Sequence, residues 1–411
     1  MVYLCRMSNS GGDNSMLQAK TKDGKLVTLA SMTRQEITML KKSDKFFCPT
    51  CSRKVIARAG TKVIPHFAHE AKTDCPAQEG GEGAYHEKGK LLLYQWLKGQ
   101  KLHVLLEPYI PEIGQRPDLL LRLKNRTIAF EYQCARIPAE HVAKRSRGYV
   151  RAGIIPIWIL GATNFHRSGQ QQLKVNQFHL PFVHQFSSDF PHTLYFFCPN
   201  TLQFISFQDL HFFTLHHVLG KWTIRKLNEM VFTDLFHVSR FTRGQLLQSW
   251  KQKKRSFRLR APGNLHGREL TWHQWLYARH ASRQSLPSPI YLPVASQHLM
   301  KTPPWDWQSR LCLDIIAPLG SGDSFHYNAC THLLRNHLHP SSLFPLLSKP
   351  ENPITAYLKQ LEHLQMIRKT SASRYTKKRP FSFYEHVEDA VDGDDLLMVQ
   401  LMKQNSGMIT G

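Results

Sequence analysis

A chain of 411 residues with 42% hydrophobic and 11% aromatic content is long enough for about two to three domains and too apolar for global disorder. Its 54 Lys and Arg against 30 Asp and Glu leave a net charge of +24. That excess points to nucleic acid or another anionic surface, since neutralising phosphates releases counterions, with a basic solvated exterior as the plainer alternative. The longest apolar stretch, Ile154 to Leu160, is too short for a bilayer span, the first residues lack a signal-peptide core, and the cysteines cluster only at Cys48, Cys51 and Cys75. These features predict a reduced, cytoplasmic protein with no membrane span.

Residues 1 to 15 are polar and glycine-containing and are expected to be disordered, with Met16 an alternative start. Leu17 to Leu29 predicts a hairpin around Asp23-Gly24, and Thr33 with Glu36 predicts a capping box at the start of a helix. Together these make an entry module over residues 1–43. Residues 44–77 hold Cys48-x2-Cys51, His66, His69 and Cys75, five candidates for the four ligands of a structural zinc site.

Glu82 to Lys98 predicts a helix, with Glu82, His86 and Lys90 at i, i+4 and i+8 on one stripe. The stripe either faces a cleft or is an ordinary solvated face. Leu102 to Ile110 reads as an apolar strand with Glu107 embedded in it. Next come Leu119 to Leu123 and Thr127 to Phe130, two apolar strands flanked by Asp118 and Glu131. A desolvated, ionised carboxylate must be paired, hydrogen-bonded or bound to a cation, so two on neighbouring strands suggest a divalent metal site. A basic helix over Ala139 to Ala152, carrying Lys144, Arg145, Arg147 and Arg151, leads to the buried strand Ile154 to Leu160. The first three strands should meander, and the last should return through its helical crossover to run parallel to its partner.

Arg116 with Asp118, the run Glu131 to Cys134, Glu82 with His86, and the segment Arg147 to Gly161 together resemble the PD-(D/E)xK nuclease superfamily. With the upstream Cys48, Cys51 and His66 to His69, the order of motifs resembles the competence protein CoiA family of bacteria. That resemblance covers Met16 to Gly161 and implies processing of incoming single-stranded DNA, or of recombination intermediates, during natural transformation. It implies a magnesium ion held by Asp118 and Glu131, with the Tyr132 carbonyl as a third ligand, to drive phosphodiester hydrolysis. The superfamily lysine is Gln133 here, which removes a positive charge; His86 as general base and Lys90 as electrostatic partner are the substitutes to weigh.

Downstream, Gln170 to Met230 is dense in Phe and His and predicts strands early and helices later, with the aromatics mainly in the core. Lys251 to Arg260 is the densest basic run, and Lys253, Lys254 and Arg255 join Arg116, Lys144 and Arg147 as candidate phosphate contacts. Trp272 to Arg283 predicts a helix, the Pro-rich Ser285 to Pro304 a linker or irregular loop, and Pro353 to Met366 an amphipathic helix. Cys312 and Cys330 read as core thiols. The end, basic and then acidic, reads as a flexible tail that folds back or binds a partner.

The expected architecture is a mixed α/β chain: a zinc-ribbon-like module, a PD-(D/E)xK restriction-endonuclease-like core over residues 78–165, and a mainly helical, basic region over residues 166–411. The leading functional expectation is magnesium-dependent DNA cleavage with structural zinc. The alternative is a nuclease-fold DNA-binding factor that cuts nothing and recruits recombination proteins.

Overall fold

The computed structural model describes residues 15–60, 64–70, 75, 83–261, 263–348 and 351–403. Residues 1–14 of the expected disordered leader, and Glu82, lie outside the described residues.

The N-terminal module is a six-stranded sheet of β1 (Ser15–Met16), β2 (Gln18–Lys20), β3 (Leu26–Thr28), β4 (Phe46–Phe47), β5 (Lys54–Arg58) and β6 (His66–His69), in the order β1-β6-β5-β4-β2-β3. The β2–β3 hairpin closes through the Thr21 amide donating to the Lys25 carbonyl at 2.9 Å, and Gly24 takes the positive φ of 78° that the turn needs. Helix α1 (Arg34–Ser43) starts at the Thr33–Glu36 capping box. With few large apolar residues, the module's core is small, built from Met16, Ala19, Leu29, Ile37, Phe46, Val55 and Phe67 around Cys48 and Cys75.

The centre of the molecule is a nine-stranded sheet. Helix α2 (Ala84–Gly99) leads into β7 (His103–Leu106), β8 (Leu119–Arg122) and β9 (Thr127–Gln133), and α3 (Ala139–Arg151) crosses to β10 (Ile154–Gly161). Strands β7, β8 and β9 meander antiparallel, and β10 returns parallel to β9, pairing Ile154 with Thr127 through to Leu160 with Gln133. A parallel return of this kind needs a crossover, which α3 supplies. Alternation along each strand fills both faces. Leu119, Leu121, Ile128, Phe130, Tyr132, Ile157 and Ile159 pack with Leu93, Trp96 and Leu97 of α2. On the other face Val142 of α3 packs with Trp158 and Leu160, and Tyr149 of α3 with Leu120 and Ala129.

The sheet continues past residue 165 with β11 (Arg167–Gly169), β12 (Gln172–Lys174), β13 (Thr193–Cys198), β14 (Gln203–Phe212) and β15 (His217–Lys226), in the order β11-β12-β15-β14-β13-β10-β9-β8-β7. Strands were expected only early in this Phe/His-rich segment, but they persist to Lys226, because its aromatics alternate between two covered faces. Phe197 and Phe204 join the core on the α2 side, and Phe196 and Phe207 the opposite one.

The remaining region is mostly helical: α4 (Arg243–Leu259), α5 (Gly267–Tyr277), α6 (Pro304–Arg310), α7 (Tyr327–Leu334), α8 (Pro353–His363) and α9 (Val387–Lys403), with a small sheet of β16 (Ser324–His326), β17 (Ile367–Lys369) and β18 (Arg374–Lys377). Two expectations need correction. The Pro-rich segment is irregular but no linker, since Leu286, Ile290, Tyr291, Leu292 and Val294 are core residues. Its carbonyls are satisfied from outside, by the Trp250 indole N–H on Tyr291 at 2.7 Å and the Tyr357 hydroxyl on Pro289 at 2.9 Å. The acidic end is no flexible tail either. It forms α9 on α4, with Asp394 buried against Arg258 Nε at 2.9 Å and Lys254 Nζ at 3.3 Å. Cys312 and Cys330 are buried, and burial pushes both thiols up to about 12, as inert core residues. Among the described residues no helix is long and apolar enough to cross a membrane.

Candidate functional site

Strand register builds the site. Leu119 pairs with Phe130, so Asp118 and Glu131 stand across from each other at the open end of the β8–β9 pair. The Tyr132 amide donates to Asp118 Oδ2 at 2.7 Å. From the α2 side, His86 Nε2 lies 3.5 Å from Asp118 Oδ2 and Lys90 Nζ 3.8 Å from Asp118 Oδ1. Gly89 makes this approach possible: a Cβ there would lie 2.0 Å from the Tyr132 ring, so any side chain would push α2 off the sheet. The Tyr132 ring stacks on His86, and its hydroxyl donates to the Phe197 carbonyl at 3.0 Å.

Lys90 is 1% exposed and donates to Glu107 Oε1 at 2.5 Å and Glu87 Oε1 at 3.2 Å. Glu107 takes a positive φ of 47° at the end of β7, and its second oxygen accepts the Leu17 amide of the N-terminal module at 3.1 Å. From the α3 side, Arg145 reaches Glu131 Oε1 at 2.5 Å and the Arg116 carbonyl at 3.0 Å, and the Tyr149 hydroxyl donates to the same Glu131 oxygen. All these bonds fall on Oε1, so among the described residues Glu131 Oε2 has no hydrogen-bond donor. Burial pushes the Glu131 carboxyl up to about 7; the Asp118 charge adds to this, and Arg145 and Tyr149 offset it only in part. Burial, and then the Glu131 charge, hold the Tyr149 hydroxyl well above its usual range, so it stays a donor.

Asp118, Glu131, His86 and Lys90 therefore meet in one place. Gln133 does not turn towards them: its amide donates to the Ala135 carbonyl at 2.7 Å. Arg145, Tyr149, Glu87 and Glu107 complete the cluster and were not singled out from the sequence as site residues. The signal for the first two is their i, i+4 spacing on α3, which puts a cation and a hydroxyl on one face. Lys144 and Arg147 project from α3 into solvent, and Arg255 from α4. Lys253 is partly buried over the Phe213 ring. Lys254 is a correction to the expected phosphate contacts: it is 1% exposed, with Nζ on the Ser288 and Ile290 carbonyls. The amphipathic turn of α4 points it into the core.

The second centre joins Cys48, Cys51, His69 and Cys75, whose ligand atoms all lie within 4.8 Å of one another. Cys48 Sγ and Cys75 Sγ are 3.9 Å apart and Cys51 Sγ is 3.3 Å from His69 Nε2, close to the edge of about 3.8 Å of a tetrahedron with zinc–sulfur bonds of about 2.3 Å. His66, the fifth candidate, points elsewhere, with Nδ1 on the Ile64 carbonyl at 2.9 Å. Burial acts to raise the Cys51 thiol but is outweighed by the Arg53 amide, Cys48, Cys75 and the Arg53 charge, so it titrates below the usual range. Burial lowers His69, and Arg116 and Arg53 add to this, favouring the neutral imidazole that ligates metals. Three thiols and an imidazole fit zinc and close its shell.

Known proteins agree with this layout. Residues 29–78 match the N-terminal domain of competence protein CoiA, residues 82–240 its nuclease-like domain, and residues 246–391 its C-terminal domain. Competence protein CoiA of Bacillus subtilis (strain 168) is 29% identical over 359 residues, covering 86% of this chain and 95% of that protein. No solved structure matches the chain. With three successive domains matched in order around a sheet bearing Asp118 and Glu131, the chain belongs to the competence protein CoiA family.

Proposed function

We propose that this protein is a divalent-cation-dependent nuclease that processes DNA in the cytoplasm during natural genetic transformation. The observation that carries the reading is the carboxylate pair, of which Glu131 is under-neutralised. Asp118 and Glu131 face each other on adjacent strands, Glu131 is held up to about 7, and its Oε2 has no donor among the described residues. Hard oxygen donors of this kind suit magnesium, which takes one or two carboxylates and keeps several waters. When bound, such an ion supplies Lewis acidity and lowers the pKa of a water.

The chain's own residues set that chemistry up. The Tyr132 amide fixes Asp118, and Arg145 with Tyr149 fixes Glu131 so that one oxygen stays open. In this reading His86 handles a proton beside Asp118, and Lys90 stands in for the motif lysine, whose position Gln133 occupies. Arg116, Lys144, Arg147, Lys253 and Arg255 are the proposed phosphate contacts, positioning rather than reading the strand. Zinc on Cys48, Cys51, His69 and Cys75 is structural in this reading: it closes a module whose Leu17 amide supports Glu107, and through it Lys90.

A second reading has its own observation. Gln133 is tied to Ala135, and the Lys90 charge is shared with Glu107 and Glu87, which favours a DNA-binding factor that recruits recombination proteins without cutting. Magnesium-supported cleavage by the parent, set against Asp118→Ala and Glu131→Ala, separates the two. Cleavage lost in both variants with binding retained supports the nuclease; binding without cleavage by the parent under every metal tried supports the binding factor.

A further inference from the structure

Three stretches far apart in sequence meet at the surface of the C-terminal region. Met300 and Leu338 form an antiparallel bridge, flanked by the Lys301 amide on the His337 carbonyl at 2.7 Å and the His339 amide on the Leu299 carbonyl at 2.9 Å. At the start of α5, the Arg268 guanidinium donates to the Lys301 carbonyl. Arg268 and Lys301 are thereby gathered beside His337 and His339; Arg268 is exposed and the other three are half-buried. Among the described residues neither Arg268 nor Lys301 has a carboxylate partner. The nearby acid, Asp306, is 1% exposed and already engaged by Arg310 Nε at 2.6 Å. Burial and then Lys301 and Arg268 press His339 down to about 4. Burial lowers His337 too; Asp306 opposes this, and Arg310, Arg268 and Lys301 add to it. Cations gathered without a free acid repel one another, and a bound anion offsets that repulsion.

The chain just beyond His339 says which anion. The turn Ser341–Leu343 lies against α3, and Phe344 and Leu346 share a core with Val142 of that helix. On its outer side α3 turns Lys144 and Arg147 to solvent. We propose that Arg268 and Lys301, walled by His337 and His339, form a second phosphate-binding patch that continues the basic face of α3, so that one nucleic-acid strand is held by both. A free phosphate or nucleotide would use the patch alone, whereas a neighbouring basic helix suits a polyanion, whose counterions both surfaces release. Contacts of this kind position a strand and do not read its sequence. The inference rests on the reading that this protein handles DNA, and it holds whether or not the nuclease-like core cuts.

The test is fluorescence anisotropy of a labelled oligothymidylate on the full chain without added magnesium, over a range of salt. Arg268→Gln and Lys301→Gln should each weaken binding about threefold at low salt, the value of an exposed ion pair, and lower the salt slope by about 0.7. The melting temperature should hold or rise, because each substitution removes a like charge. Lys301→Gln leaves the Arg268 contact with the residue 301 carbonyl in place and serves if Arg268→Gln does not fold. Lys42→Gln, on the exposed side of α1, controls for net charge and should leave the slope unchanged. A parent that binds, with folded variants that bind as tightly and with the same slope, would overturn this inference alone; a parent that does not bind would overturn it together with the DNA reading. An equal loss in Lys42→Gln would also overturn it, since the effect would be one of overall charge. So would inorganic phosphate or thymidine monophosphate raising the melting temperature of the parent and not of the variants while strand affinity stays the same, since the ligand would then be a free anion.

Discussion

Two buried charge clusters in this molecule look alike in composition and differ in balance. Between α4 and α9, Lys254 and Arg258 share Asp394, and their other protons go to the carbonyls of Ser288, Ile290, Arg283 and Gln284. Burial acts to raise Asp394 but is outweighed by Lys254 and Arg258, so it titrates below the usual carboxylate range. At the end of β8 and β9 the outcome is reversed: Arg145 and Tyr149 do not outweigh burial and Asp118, and Glu131 rises to about 7. A buried charge is thus not itself a sign of function. An acid outweighed by its cations, as Asp394 is although burial still lowers Lys254 to about 8, holds two helices together, and an acid that is not outweighed has capacity for a ligand.

Removing acids from each cluster should therefore have opposite signatures. Asp118→Ala or Glu131→Ala should lower cleavage by at least about 10²–10³-fold, the cost of deleting one preorganised electrostatic group, with little change in the denaturant midpoint. Asp394→Ala should do the reverse. It leaves two buried cations without their acid and should cost about 3–5 kcal/mol by urea unfolding while intrinsic cleavage per folded molecule holds. If Asp394→Ala is no less stable than the parent, the balanced-cluster account fails.

The imbalance at Glu131 also sets a pH dependence. The folded chain keeps a proton on Glu131 up to about 7, whereas an ordinary carboxyl releases it near 4.5, so stability of the cation-free fold falls as pH rises between those values. A divalent cation competes with that proton, so its affinity should climb as pH rises towards about 7 and level off above it. Calorimetric titration of manganese from pH 5.5 to 8.5 would read this, and Glu131→Gln should flatten the rise. A parent affinity independent of pH would mean that Glu131 does not share the ion.

Smaller effects should come from the N-terminal module and the surface. Cys48→Ser should release the bound metal, detectable by elemental analysis, and lower activity through the Leu17–Glu107–Lys90 chain rather than abolish it. Lys144→Ala or Arg147→Ala should each reduce the salt slope of DNA binding by about one with the fold intact.

The sequence made the sheet around the site legible because local pattern and burial agreed there. Two carboxylates flanking apolar strands predicted both the β8–β9 pair and its polar end, and the helix before Ile154 predicted the parallel return. It did not reveal which way long cationic side chains turn. Lys254 lies in a run of six basic residues within ten positions, and only the α9 partner, 140 residues later, makes it a core residue. Pro-rich Ser285 to Pro304 misled for a related reason: proline removes donors, but the segment's carbonyls are met by Trp250 and Tyr357 from distant helices. His66 and His69 share one spacing rule, and only the β6 pleat, which directs one of them to the Ile64 carbonyl, separates ligand from bystander.

The most direct test of the central claim is cleavage of single-stranded, double-stranded and branched DNA at low salt with and without magnesium, by the parent and by Asp118→Ala. The account predicts cleavage of at least one of these that requires magnesium and disappears in the variant, while DNA binding and the melting temperature are retained. Cleavage by Asp118→Ala at the parent rate would place the chemistry elsewhere and contradict it.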